Sequence, residues 1–175
     1  IAAIIEPEAD VSVYLGSEAT EKRGKSLFRE YDLVHLACHA SFDETDPLDS
    51  ALYLTAGGGE DGRLTVAELF ALELDETMLV VLSACETGLS RVTGGDELVG
   101  LTRGFLYAGT PSMVVTLWEV ADDSTASVMT RFYENLKEGQ TPSSALNEAQ
   151  RWAKSSTDYK SPFFWAPFVL VGSWE

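Results

Sequence analysis

The sequence predicts an α/β fold with a mostly parallel central sheet and helices on both faces. Three observations lead there. Short apolar runs alternate with amphipathic segments along the chain. Two of the runs, Leu33-Val34-His35-Leu36-Ala37 and Met78-Leu79-Val80-Val81-Leu82-Ser83, are almost continuously apolar, as strands covered on both faces are. Helical segments separate most of the strands, so the chain must cross over, and right-handed crossovers put helices on both sides of the sheet.

The elements follow in order. Val11-Ser12-Val13-Tyr14-Leu15 alternates and reads as a strand closed by Gly16. Thr20 to Arg29 reads as a helix with Leu27 and Phe28 on its buried side, and Leu33 to Ala37 as the next strand. Ala51 to Thr55, ahead of Gly57-Gly58-Gly59, reads as one hairpin arm, with a short return near Gly62 to Leu64. Thr65 and Glu68 have capping-box spacing, so a short helix starts at Val66. The strand Met78 to Ser83 runs into a Gly- and Thr-rich loop through Gly88 and Gly94-Gly95. Asp96 suits the cap of a helix over Glu97 to Ala108, and Gly109 suits its C-terminal stop. Ser112 to Leu117 is a strand, and Asp123 to Lys137 a long amphipathic helix ended by Gly139. Thr141-Pro142 opens another helix to about Ala153. A polar loop, Ser155 to Ser161, precedes a last strand, Phe168 to Val171.

The 175 residues suit one domain, large enough to build a core without staples. Asp and Glu number 28 against 12 Lys and Arg, a formal charge of -16. With 45% hydrophobic residues this is no disordered acidic tail. The charge argues against direct contact with nucleic acid or an anionic membrane and points to a cationic partner. Two cysteines, Cys38 and Cys85, make no disulfide framework, so a reducing, cytoplasmic compartment is expected. No apolar run approaches the roughly 20 residues of a membrane span, and Ile1 to Ile5 is too short for a signal peptide. The patterns GxSxG, GxxxxGK[ST] and GxGxxG are absent, and no cofactor is expected.

Sites in open parallel sheets form beyond the carboxyl ends of the strands. His39 lies just past the strand Leu33 to Ala37, and Cys85 just past Met78 to Ser83. If those strands are neighbours, the two residues share one sheet edge, the minimal constellation for an imidazole-assisted thiol nucleophile. Taken alone, Cys85 reads as a buried apolar side chain. Side chains alternate along a strand, so His35 faces away from Leu36 and Cys38. His35 reads as a hydrogen-bonded histidine of the core or in support of the site, and Cys38 as packing. His35, Cys38, His39 and Cys85 would be four zinc ligands, but residues on opposite faces of a strand cannot converge on one ion, so no metal is expected.

The segments Val34-His35-Leu36-Ala37-Cys38-His39-Ala40 and Val81-Leu82-Ser83-Ala84-Cys85-Glu86-Thr87-Gly88 resemble the two signature motifs of CHAT domains, caspase-like cysteine peptidases related to separases. The resemblance continues in Gly95 to Leu101, Phe105 to Gly109, Leu117 to Asp123 and Phe164 to Gly172. It covers roughly Tyr14 to the C-terminus. It implies a caspase-like three-layer sandwich in which His39 is the catalytic histidine and Cys85 the nucleophile. The family commonly has Gly directly after that histidine, where this chain has Ala40; Ala keeps the N–H expected to bind the oxyanion but tolerates a positive φ less well. CHAT domains usually begin further upstream and often follow helical repeats. The expectation is therefore a single domain over 1–175, truncated at its N-terminus, whose partners include helical-repeat or sensor regions of a longer parent chain.

The activity so implied is hydrolysis of peptide bonds in a protein substrate through an acyl-thioester, with the backbone N–H groups of Ala40 and Cys85 as oxyanion donors. Acidic residues crowd the same edge: Asp43, Glu44, Asp46, Glu86, Asp96, Asp122 and Asp123. Glu86, Asp122 and Asp123 are the substrate-binding candidates, selecting a basic residue before the cut as separases do. Asp122 or Asp123 equally suits a helix cap, and Glu86 a structural salt bridge. Two rival functions are a catalytically silent caspase-like interaction module in a larger regulatory protein, and a redox-sensing thiol at Cys85, which would want a resolving cysteine beside it.

Overall fold

The structure, a computed structural model, describes residues 10–43, 45–83, 85–86, 96–118 and 122–173, with 85–86 and 96–99 as backbone. Helix α1 (Glu21–Leu27) starts where the Thr20 hydroxyl accepts the Arg23 N–H at 3.3 Å. Strands β1 (Leu33–Leu36), β2 (His39–Ser41), β3 (Ala51–Tyr53) and β4 (Arg63–Thr65) follow. The capping box forms as the spacing predicts: Thr65 Oγ1 accepts the Glu68 N–H, Glu68 accepts the Thr65 N–H, and α2 (Val66–Leu69) begins there. Then come β5 (Leu79–Leu82), β6 (Cys85–Glu86), α3 (Asp96–Ala108), β7 (Ser112–Thr116), α4 (Asp122–Lys137), α5 (Pro142–Ser155), α6 (Pro162–Trp165) and β8 (Phe168–Gly172). Gly109 and Gly139 follow α3 and α4 with φ of +122° and +83°, conformations that cost glycine nothing.

Among the described residues two four-stranded sheets result, ordered β1-β5-β7-β8 and β4-β3-β2-β6. In the main sheet β1, β5 and β7 are parallel, and β8 returns antiparallel at the edge. Both faces are covered. On one, Val34, Leu36, Val80, Leu82, Met113 and Val115 pack with residues of α2 and α3; Phe28 and Phe105 meet there edge to face at 5.6 Å, a favoured aromatic geometry. On the other, Leu79, Val81 and Val114 pack with Val128, Phe132 and Tyr133 of α4 and Ala145, Leu146 and Ala149 of α5. The small sheet is tied to α1 by charge. Lys25 Nζ lies 3.0 Å from Glu60 and 2.9 Å from Glu68, and also pairs with Glu21, which is fully buried and accepts the Gly62 N–H at 2.7 Å.

Two expectations are corrected. Val11 to Leu15 forms no strand: it has no ladder partner among the described residues, Val13 and Leu15 are 52% and 75% exposed, and a short 3₁₀ turn follows at Gly16–Glu18. Alternation marks a strand only where a neighbour satisfies its backbone groups. Asp96 is the first residue of α3 rather than its cap. Between the polar loop and the last strand, Pro162, pre-set for a first helical position, opens α6. The expected loop at 87–95, the Ile1 to Ile5 run and Glu44 lie outside the described residues.

Candidate active site

β1 and β5 are hydrogen-bonded neighbours, Leu33 to Leu36 in register with Leu79 to Leu82. The last bond of this pairing runs from the Ser83 N–H to the Leu36 carbonyl at 2.9 Å. Both chains then leave the main sheet and pair again in the small one, where β2 and β6 are parallel and His39 is the register partner of Cys85. The backbone thus brings the two strand-end residues side by side. His39 is exposed. Ala40 is fully buried and in register with Glu86. No non-glycine residue among those described has a positive φ, so Ala in place of the family's Gly carries no backbone strain.

His35 and Cys38 face opposite sides, as alternation requires. Cys38 packs against the cluster containing Val34 and Leu36, and burial pushes its thiol up to about 11, the state of an inert packing cysteine. His35 is enclosed on the α4 side. A hydrogen bond of 3.1 Å links its Nε2 to Ser83 Oγ, and one of 2.9 Å links its Nδ1 to the Tyr133 hydroxyl. Burial lowers its pKa to about 4, so at neutral pH the ring is uncharged, with one nitrogen donating and the other accepting. The sequence carries no signal for Tyr133, 98 positions from His35; Ser83 stands inside a signature segment and was visible only as part of it.

The acidic residues divide. Asp43 accepts from the Thr45 hydroxyl at 2.7 Å and from the Asp46 and Thr45 N–H groups at 2.9 and 2.8 Å, which hold its carboxyl below the usual range. Asp46 accepts the Leu48 N–H of the turn Pro47–Asp49. Both carboxylates are used in shaping that loop. Asp122 and Asp123 are exposed in the first turn of α4, where negative charge also favours the helix dipole. Glu86 stands on β6, next to Cys85. The acidic trio close enough to share an ion among the described residues is Glu21, Glu60 and Glu68, and the Lys25 ammonium already sits among them.

A mostly parallel sheet, helices on both faces and a His/Cys pair at its carboxyl edge define a caspase-like α/β domain. The chain belongs to the CHAT domain family, whose model matches residues 1–173. Tetratricopeptide repeat protein 28 of Mus musculus is 41% identical over 197 aligned positions that take in 91% of this chain, and its Homo sapiens counterpart is 30% identical over the same extent. The chain spans about 8% of the length of these curated relatives. No helix among the described residues is long and apolar enough to cross a membrane.

Proposed function

We propose that this domain is a cysteine endopeptidase using His39 and Cys85. The Cys85 thiol gives its proton to His39 as Sγ attacks the scissile carbonyl carbon. The tetrahedral adduct collapses, the C–N bond breaks, and His39 gives its proton to the leaving amine, leaving an acyl-thioester on Cys85. Water then adds to the thioester, His39 takes up its proton, the C–S bond breaks to release the acid product, and His39 returns the proton to the Cys85 sulfur. The N–H groups of Cys85 and Ala40 are the proposed oxyanion donors, each contributing about 10²–10³ in rate. The observation that carries this reading is the register of His39 with Cys85 on adjacent strands, one spacing of about 4.8 Å apart. CHAT family membership supports it.

Glu86, Asp122 and Asp123 are the proposed selectors of a basic residue before the cut. Helical-repeat regions of a longer parent chain are the proposed partners, supported by the name and the length of the two relatives, and the cytoplasm is the proposed compartment. A fluorogenic peptide library varied before the scissile bond, with an arginyl acyloxymethyl ketone as covalent probe, tests the reading. Cleavage and labelling at Cys85 are expected, both lost in Cys85→Ala and His39→Ala. Cleavage that persists in Cys85→Ala would overturn it, and a wild-type chain that neither cleaves nor labels would favour the silent interaction module. Preference for an apolar residue before the cut would discard the acidic selectors.

A further inference from the structure

The proposed dyad stands on two strand ends, and residues outside the dyad hold those ends together. His35 in β1 is opposite Val81 of β5, so Ser83 is its diagonal neighbour on the same face. Ser83 is clamped twice: its N–H donates to the Leu36 carbonyl at 2.9 Å, and its hydroxyl shares a 3.1 Å hydrogen bond with His35 Nε2. This is the last position before β5 leaves the main sheet, two residues ahead of Cys85. From the other side Tyr133 of α4 hydrogen-bonds His35 Nδ1 at 2.9 Å and stacks on the imidazole at 5.8 Å with 21° between the planes. We infer that Tyr133, His35 and Ser83 form a positioning chain that fixes the strand fork on which His39 and Cys85 are paired; the inference rests on the peptidase reading above.

Two physical arguments carry it. Apolar side chains of similar size would fill the same volume without the cost of burying the Tyr133 hydroxyl and partly burying His35 and Ser83. What the polar chain adds is direction, because hydrogen bonds fix distance and angle where apolar contacts slide. The chain also spans three elements, β1, β5 and α4, and α4 carries Asp122 and Asp123 in its first turn. One set of hydrogen bonds therefore aligns both strand ends and the helix of the proposed substrate selectors.

The test uses the 175-residue chain with Tyr133→Phe, which keeps the ring and removes the hydroxyl, and with Ser83→Ala and Ser83→Thr. The readout is the rate of Cys85 alkylation by iodoacetamide across about pH 5–9, followed peptide by peptide by mass spectrometry, with thermal unfolding measured alongside. Tyr133→Phe and Ser83→Ala should each slow alkylation near neutral pH by roughly tenfold, short of the ~100-fold that a full 1 Å misplacement brings. Their pH–rate midpoints should move toward the free-thiol value of about 8.5, and Ser83→Thr should restore the wild-type profile. A purely structural role would shift the unfolding temperature and leave the pH profile in place. Unchanged rate and profile in both variants, with activation still lost in His39→Ala, would overturn the positioning chain and leave the dyad standing. A wild-type Cys85 that reacts as a free thiol, indifferent to His39→Ala, would overturn the dyad and this inference with it.

Discussion

His35 makes the stability of the fold depend on acid. Burial holds its folded pKa at about 4, against about 6.5 for an ordinary imidazole. The folded value lies below the unfolded one, so as pH falls the unfolded chain takes the proton first. The stabilisation is complete above about pH 6.5 and is lost progressively on the way down to about pH 4. At about 1.4 kcal/mol for each pH unit the gap amounts to roughly 3 kcal/mol, a large share of the 5–15 kcal/mol typical of a domain. The structural reason is specific: a protonated ring has no acceptor nitrogen, so one of its two hydrogen bonds must be carried by the partner's oxygen alone while an unpaired charge sits between α4 and β5. Urea unfolding of the wild type and of His35→Gln at a series of pH values isolates the effect, since carboxylates titrate in both. The difference in unfolding free energy should fall by roughly 3 kcal/mol between pH 6.5 and 4. A difference that stays flat across that window would refute the reasoning.

Lys25→Met should cost about 3–5 kcal/mol, because Glu21 is fully buried and would lose its counter-ion; adding Glu21→Gln should recover most of it, and urea midpoints of the two single variants and the double decide. Gly62→Ala should destabilise by more than about 1 kcal/mol, since φ is +94° and a Cβ there would sit 2.8 Å from the Leu54 carbonyl oxygen; Gly57→Ala, whose Cβ meets only the Thr20 methyl at 3.6 Å, should stay within about 0.5 kcal/mol of wild type by thermal unfolding. With its thiol pushed up to about 11, Cys38 should alkylate near neutral pH about two orders of magnitude more slowly than an ordinary thiol, and mass spectrometry that finds it labelled first would contradict its packing role.

The main sheet was legible because burial on both faces writes itself into composition: β5 and β7 are apolar at nearly every position and buried at every one. Thr65 with Glu68, and Thr141 ahead of Pro142, marked helix starts through their own local hydrogen-bond chemistry. The small sheet was only half legible. Its hairpin showed through the glycine turn, but β2 and β6 are three and two residues long, too short for alternation to register, and they exist only through each other and β3. The same locality explains the error at Val11 to Leu15, where the pattern was present and the partner was not. For the candidate site, the strand-end rule pointed to His39 and Cys85, whose backbones are in register, while Tyr133 reaches His35 from a helix whose register over β1 is decided by core packing. Asp43 and Asp46 looked like pocket acids by position and proved to be loop builders, a distinction that depends on which N–H groups fold back onto them.

The fork itself shows how a fold can guard the alignment of the proposed dyad. Leu36 pairs with Leu82 and His39 with Cys85, both 46 positions apart. The register of the main sheet therefore passes unbroken into the small one, because the two links, residues 37–38 and 83–84, are of equal length. In β1 and β5 that register cannot slip: a shift of one residue would turn Val34, Leu36, Val80 and Leu82 away from the core they fill. Burial of apolar side chains thus decides, at a distance, which residue lies beside His39. The links are only two residues each, and there the Ser83 main-chain bond to Leu36 and its side-chain bond to His35 are made. Directional bonds stand where the main sheet ends, which is the division of labour expected when the core supplies stability and polar contacts supply alignment.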